Sequence, residues 1–491
     1  MSVRLWFSSL AVCAAALGAT GSQVRIADAA MQGDMETVRA LAKQHVDVNA
    51  PLPDGSTALI WAAYWNDAKA VDALLAAGAN PGTPNRYGVT ALSQACTNGN
   101  AAIVDALLKA GADANTFQAE GQTVLMTAAR AGSVEAVKAL LAHGAEVNAK
   151  ESWRGQTALM WAAAENHPAV VDALLKGGAE VDARSAVFDF RGLKPKPGDV
   201  PMHFPRGGMT ALLFAARAGN TECVRLLLAA GADLKTGDPD GTTALILAII
   251  NGHYDTAAFL LDHGADPNAA DENGRAPLFA AVDMYDMYNS NRPAPKDEGK
   301  HGSLDIVKLL LEHGANPNAQ LGKLLPPRAV LDFPDMYLGE GATPFLRAAK
   351  SADVPLMRLL LDKGADPKLT TKEHSTAIML AAGMGYHKTS RGGERPLEAI
   401  QLCIEKGVDV NAINDRGETA VHAAASTGAD KIVQLLADKG AKLDVKDKKG
   451  RTPTDVALGI NADMVGVEVH ESTAALLRQL LGTTAKDAGT H

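Results

Sequence analysis

The chain has 491 residues and a formal net charge of −9; apolar residues make up 47% and aromatic residues only 4%. That length suits about two to four ordinary domains or one extended array, and the composition points to helices packed through Ala, Leu and Val rather than to an aromatic-rich β-sandwich. The negative balance repels polyanions and excludes nucleic acid as a general partner.

In chain order, the first element is a segment in which Arg4 precedes an apolar run from Leu5 to Ala19, followed by the small-residue stretch GATGSQ. This layout predicts a signal peptide over residues 1–21 and export to a periplasmic or extracellular space. The run is about five residues short of the ~20 that a membrane-crossing helix needs, and no later stretch is long enough to span a bilayer. A lipid anchor at Cys13, in LAVC, is the weaker reading because Val12 is a poor neighbour for a lipidated cysteine. Cys96, Cys223 and Cys403 remain after such processing. No two of them form a C-x-x-C pair, which argues against a zinc knuckle or haem attachment.

From there the sequence repeats itself. A Gly followed two residues later by Thr recurs at Gly55, Gly88, Gly121, Gly155, Gly208, Gly241, Gly341, Gly417 and Gly450, and Gly274 fits with Ala276. Uninterrupted spacings are 33 residues, with one step of 34. A second Gly closes each repeat in LLAAGAN, LLKAGADAN, LLAHGAEVN, LLKGGAEVD and their later counterparts. Such a period belongs to a solenoid, not to independent domains. Within one repeat, Thr157 opens a first helix, ALMWAAA, and Asn166 stands where other repeats carry Gly. Both residue types enter the left-handed conformation cheaply and so end a helix. Val170, Val171, Leu174 and Leu175 form an apolar stripe on a second helix that Gly178 closes. Helices this short cannot bury their apolar faces alone, so repeats must stack.

These motifs closely resemble the ankyrin repeat, with its G-x-T-P-L-H-x-A-A opening and G-A-D-x-N-A close. The resemblance covers roughly residues 25–482. It implies an all-α solenoid of helix-turn-helix repeats joined by short β-hairpin fingers, with inner helices lining a concave face. About twelve repeats are expected in a single array over 22–482: an N-terminal cap at 27–50, ten repeats over 51–446, and a C-terminal cap at 447–482, followed by a flexible tail at 483–491. Most copies read Thr-Ala-Leu instead of Thr-Pro-Leu, and only His422 keeps the motif's His. The three cysteines fall in separate repeats on apolar helix faces, which predicts buried free thiols.

Four inserts interrupt the array, at 184–207, 283–302, 320–340 and 384–396. The first and third fall between repeats and lengthen fingers; the second and fourth fall between the two helices of one repeat. Their aromatics (Phe188, Phe190, Phe204, Tyr285, Tyr288, Phe333 and Tyr337) suit loops that dock on the array or meet a partner better than free linkers.

Chemistry is sparse. HESTA at His470 lacks the second His of a zinc-protease helix, and GMGYHKTSRGG lacks both the Gly directly before Lys388 and a leading strand required of a phosphate loop. His143, His263 and His313 precede closing glycines and are expected to cap helix carbonyls. No catalytic set, metal site or cofactor is expected. The resemblance instead implies partner contacts from fingertips and inner-helix ends: Tyr64, Trp65, Arg130, Glu165 and Arg217 on helices, and Arg86, Tyr87, Trp153 and Arg154 on fingers. Trp61 and Trp161 are expected in the core. The reading is a monomeric, non-catalytic scaffold binding an unknown protein on its concave face. The alternative is an enzyme or enzyme accessory whose inserted loops build a site over that face.

Overall fold

The computed structural model describes residues 25–188, 206–285, 299–325, 337–385, 395–460 and 468–482. The expected signal peptide, Cys13, the tail, and Phe190, Phe204, Tyr288 and Phe333 of the inserts lie outside these residues. Among the described residues, 24 α-helices follow one another in pairs. The pairs begin with α1 (Ile26–Met31) and α2 (Met35–Ala42), α3 (Ala58–Tyr64) and α4 (Ala68–Ala76), and α5 (Ala91–Asn98) and α6 (Ala101–Lys109). Next come α7 (Val124–Ala131) and α8 (Val134–Ala142), α9 (Ala158–Ala164) and α10 (Pro168–Lys176), and α11 (Ala211–Ala218) and α12 (Thr221–Ala229). They continue with α13 (Ala244–Ile250) and α14 (Tyr254–Asp262), α15 (Pro277–Tyr285) and α16 (Ser303–Glu312), and α17 (Pro344–Lys350) and α18 (Val354–Asp362). The last are α19 (Ala377–Ala381) and α20 (Arg395–Glu405), α21 (Ala420–Ser426) and α22 (Asp430–Asp438), and α23 (Pro453–Ala457) and α24 (Glu471–Leu480).

These helices fall in two compact parts. The first holds α1–α6, the second holds α7 and α9–α24, and α8 is divided between them. In the first part α1, α3 and α5 pack in succession, backed by α2, α4 and α6. In the second, odd-numbered helices from α7 to α23 form one row, backed by the even-numbered runs α10 to α16 and α18 to α24. The first helices are short, yet in ten of the twelve a Thr sets the start. Thr57, Thr90, Thr123, Thr157, Thr210, Thr243, Thr343, Thr376, Thr419 and Thr452 each sit at the N-cap and accept a hydrogen bond from the backbone N–H three residues on. That is the physical reason for the repeated Thr. The turn after the first helix needs a left-handed residue: Gly132 supplies it at φ 75° and Asn166 at φ 59°.

Packing between repeats is sealed by one recurrent residue, the Asn that ends the G-A-D-x-N run. Asn318 donates from Nδ2 to the Gly364 carbonyl at 2.9 Å, while its Oδ1 accepts from Asp366 N–H at 2.7 Å. Asn49, Asn148, Asn268 and Asn411 make the same double bridge to the repeat that follows each of them. Asn268 reaches Gly314 across the 283–302 insert, so the added residues leave the register of stacking intact.

The fingers are minimal hairpins, each closed by a backbone bond such as Asn85 N–H to the Val89 carbonyl at 2.9 Å or Asp447 N–H to the Arg451 carbonyl at 2.9 Å. Adjacent fingers share single backbone bonds, such as Ser152 N–H to the Glu120 carbonyl at 2.7 Å and Lys372 N–H to the Glu340 carbonyl at 2.7 Å. Among the described residues, the only paired strands are β1 (Val187–Phe188) and β2 (Arg206–Gly207), antiparallel at the base of the 184–207 insert. The ordinary finger is a tight turn around a left-handed Gly, too short to build a ladder; the insert gives it the length to pair.

Cys96, Cys223 and Cys403 are free and buried. Burial pushes the thiols of Cys96 and Cys403 up to about 12 and that of Cys223 to about 11, with Glu222 adding to the last. Iodoacetamide at pH 8 should therefore leave all three unmodified in the native chain and label them in denaturant, as read by peptide mass spectrometry. A second prediction concerns the Asn bridge. Asn318→Ala should lower stability by about 1–3 kcal/mol, measured by urea unfolding. Asn318→Asp, which keeps the acceptor for Asp366 N–H, should lose less.

Candidate functional site

In the first compact part, the α3 terminus carries an aromatic run. The rings of Trp61 and Tyr64 lie edge to face at 5.4 Å, and those of Tyr64 and Trp65 at 5.2 Å. Tyr64 and Trp65 are about half exposed, at 49% and 48%. Trp65 is also a structural anchor. Its indole N–H donates to the Ala30 carbonyl at 3.0 Å, and its ring covers the left-handed turn at Gly33, where a Cβ would meet Trp65 Cε2 at 3.4 Å. On the finger, Arg86 N–H donates to the Asp54 carbonyl at 2.9 Å. The Ser56 backbone N–H, with Arg86 among the lesser causes, holds the Asp54 carboxyl below its ordinary value. Tyr87 projects from the same finger and is 73% exposed.

The second compact part brings together the other predicted residues. Arg130, near the end of α7, lies 5.0 Å over the Trp161 ring of α9 and 3.9 Å from the Glu165 carboxylate. Trp153 is 57% exposed on a fingertip, and the Arg154 guanidinium covers its ring at 4.1 Å. The Glu151 carboxylate holds that tip in shape by accepting from the N–H groups of Trp153, Arg154 and Gln156. Arg217, near the end of α11, lies 5.0 Å over Phe214 and donates to the Met209 sulfur at 3.6 Å, while the residue as a whole stays exposed. Desolvation of its guanidinium, and then the like charge of Arg154, lower its pKa from the ordinary value.

Two expectations need correction. Trp61 and Trp161 are half-buried instead of core: the first packs against exposed Tyr64 and the second lies beneath exposed Arg130. Their indole nitrogens are nonetheless buried and find no acceptor among the described residues. The histidines divide as well. His143 and His263 cap the carbonyls of Ala139 and Phe259 at 2.9 and 2.8 Å. His313 instead places its Nε2 3.7 Å from the Asp262 carboxylate.

A polar cluster that sequence reasoning missed lies farther along the second part. Arg347 of α17 pairs with Asp283 of α15 at 2.7 Å, with both side chains less than one-fifth exposed. Lys350, in the last turn of α17, is only 6% exposed. Tyr337 lies under the Arg416 guanidinium at 4.5 Å, and a Cβ at Gly385 would come within 2.7 Å of its ring and 3.0 Å of Lys350 Nζ. Burial, and then Glu418, push the Tyr337 hydroxyl up. The described ends of the 320–340 and 384–396 inserts thus meet beside Lys350 of α17, and that of the 283–302 insert is paired with Arg347 of the same helix. The available signal was PFLRAAK, which places Arg347 and Lys350 in an inner helix otherwise built of small apolar residues. Among the described residues, no group of three or more His, Cys, Asp or Glu could hold a metal ion, and no helix is long and apolar enough to cross a membrane.

Comparison with known proteins fits this architecture. Profiles for "Ankyrin repeats (3 copies)" match residues 26–118, 111–185, 193–271, 238–289, 299–392 and 387–466, and one for "Ankyrin repeat" matches 273–320. The chain belongs to the ankyrin-repeat family, whose modules generally bind proteins. It is 36% identical over 100 residues to human ankyrin repeat and KH domain-containing protein 1, covering 20% of this chain and 4% of that protein. It is 29% identical over 154 residues to the probable 26S proteasome regulatory subunit p28 of Saccharomyces cerevisiae, covering 31% of this chain and 58% of that one. The crystal structure of the human ASB11 ankyrin repeat domain aligns with a TM-score of 0.40 and 27% identity, over 50% of this chain and 100% of that chain. The chain therefore spans less than two thirds of the length of the first of these relatives, and its similarity to them is that of shared repeats.

The two roles of Trp65 can be separated. Trp65→Phe, which keeps a ring but removes the donor to Ala30, should cost about 1 kcal/mol. Tyr87→Ala, whose side chain supports nothing, should stay within about 0.5 kcal/mol of the parent. Urea unfolding measures both.

Proposed function

We propose that this chain is a non-catalytic scaffold that binds another protein through fingertips and inner-helix ends, on the concave face that the family implies. The observation that carries this reading is the exposure of Tyr87 and Trp153, at 73% and 57%, on turns whose geometry is fixed by other residues. Holding large rings in place before binding reduces the ordering entropy that a partner must overcome, and such rings are favoured at binding hot spots. The N-terminal Arg4-to-Gln23 layout supports action outside the cytoplasm, in a periplasmic or extracellular setting. The monomeric state is part of the same proposal.

A second reading, in which inserts build a site of their own over the array, is favoured by the approach of Gly385 to Tyr337 and Lys350 and by the pairing of Asp283 with Arg347 of the same helix as Lys350. One experiment addresses both. The chain lacking residues 1–21 is immobilised, and partners are captured from envelope extracts of the source cells and identified by mass spectrometry. A Tyr64→Ala, Tyr87→Ala, Trp153→Ala variant, with Trp65 kept for stability, should lose the captured partner while its helicity and melting stay unchanged. Capture that survives these changes but fails on deletion of residues 283–302 would move the function to the inserts.

A further inference from the structure

The side chains grouped in the second compact part share a chemical character beyond exposure. Arg130, Arg154 and Arg217 each present a guanidinium laid on an aromatic ring, at 5.0, 4.1 and 5.0 Å. A guanidinium offers donors only and keeps its charge at any working pH. Among the described residues, no carboxylate pairs with Arg154 or Arg217. The nearest acid in sequence, Glu151, is consumed by the N–H groups of its own turn. Glu165 touches Arg130 only at 3.9 Å, with both side chains about half exposed, which makes it a weak competitor. Between the arginines, the buried Trp161 Nε1–H is a further donor that lacks an acceptor among the described residues. The surface is therefore short of acceptors and concentrates positive charge on a chain whose overall charge is −9.

Spacing narrows the class of ligand. Packed helices stand ~8–10 Å apart, so α7 and α11, two steps apart, are separated by roughly 20 Å. An extended strand covers that distance in about six residues, at ~3.3 Å each. A short acidic peptide can thus reach Arg130 and Arg217 at once, with a side chain free to lie on exposed Trp153. Three cations on an acidic chain are a poor match for the dense charge of a nucleic acid.

We propose that the inner-helix face of α7, α9 and α11, with the Trp153–Arg154 fingertip beside it, receives an extended acidic segment of a partner protein, whose carboxylates are bound by Arg130, Arg154 and Arg217. The proposal rests on the protein-binding reading and adds the chemistry of the partner.

The test is fluorescence anisotropy of a labelled deca-glutamate peptide with the chain lacking residues 1–21. Saturable binding should weaken steeply between about 50 and 300 mM salt, as expected for exposed charges. It should weaken at least about tenfold, or 1.4 kcal/mol, in Arg154→Glu, Arg217→Glu. If that variant melts early, Arg154→Gln, Arg217→Gln keeps the test open, with a smaller loss expected in the same direction. A labelled deca-lysine peptide should not bind. Absence of binding, binding indifferent to the arginines, or equal binding of a single-stranded DNA oligomer would each overturn the proposal. Should deca-glutamate fail while extract capture still depends on Tyr64, Tyr87 and Trp153, the acidic class falls and the protein-binding reading stands. Capture indifferent to those aromatics removes the broader reading instead.

Discussion

Several first helices in this chain end in carbonyls that a side chain of the following repeat satisfies. Trp65 donates to Ala30, Asn98 to Ala63 and Tyr64, His167 to Arg130, Asn220 to Ala163 and Ala164, and His253 to Arg217. The second helices are served from the other side, where the Asn of the preceding repeat donates to the closing-Gly carbonyl. An unsatisfied buried acceptor costs as much as a typical hydrogen bond contributes, or more. A repeat standing alone would therefore expose both apolar side chains and orphaned helix ends. Nearest-neighbour stacking answers both needs, so stability in such an array is close to a sum over interfaces.

That locality explains the tolerance for inserts. Asn268 and Asn318 reach closing carbonyls 46 residues away as readily as Asn49, Asn115 and Asn411 reach those 29 residues away. Loop closure adds only ~0.6 kcal/mol for each doubling of length, whereas a broken interface would lose its bridge and its apolar contact together. The inserts are still not passive at their ends: Asp283 pairs with Arg347 of the inner row, Tyr337 lies under Arg416 of a finger, and Gly385 sits close to Tyr337 and Lys350.

The same economy leaves some side chains without structural duty. Inner helices are held by Ala, Leu and Thr, and finger turns by backbone bonds and by carboxylates such as Glu151. The side chains of Tyr87 and Trp153 hold none of these and stay exposed. Trp65 marks the opposite case. Its ring is as exposed as that of Tyr64, but its N–H and its cover of Gly33 fasten the first repeat to the second. Sequence position alone placed these two neighbours in one class, and only the hydrogen bond separates them.

Period, helix starts and helix ends were legible in the sequence because each is a local rule. Thr caps its own helix, Gly or Asn takes the left-handed turn, and the Val-Leu stripe declares a buried face. The buried state of Cys96, Cys223 and Cys403 followed from the same register. Register likewise assigns Tyr87, Trp153 and Arg154 to fingers and Arg130 and Arg217 to helix ends. It did not yield the pairing of Arg130 with Trp161, the turn-bound Glu151 carboxylate beside Arg154, or the Tyr337–Lys350–Arg416 cluster. Arg130 and Trp161 lie about 30 positions apart in sequence and Tyr337 and Arg416 about 80, and no local pattern encodes that they meet; the Glu151 bonds stay within one turn. The linear order thus determined what each repeat is; the stacking of repeats decided which polar groups are consumed by the scaffold and which are left for another molecule.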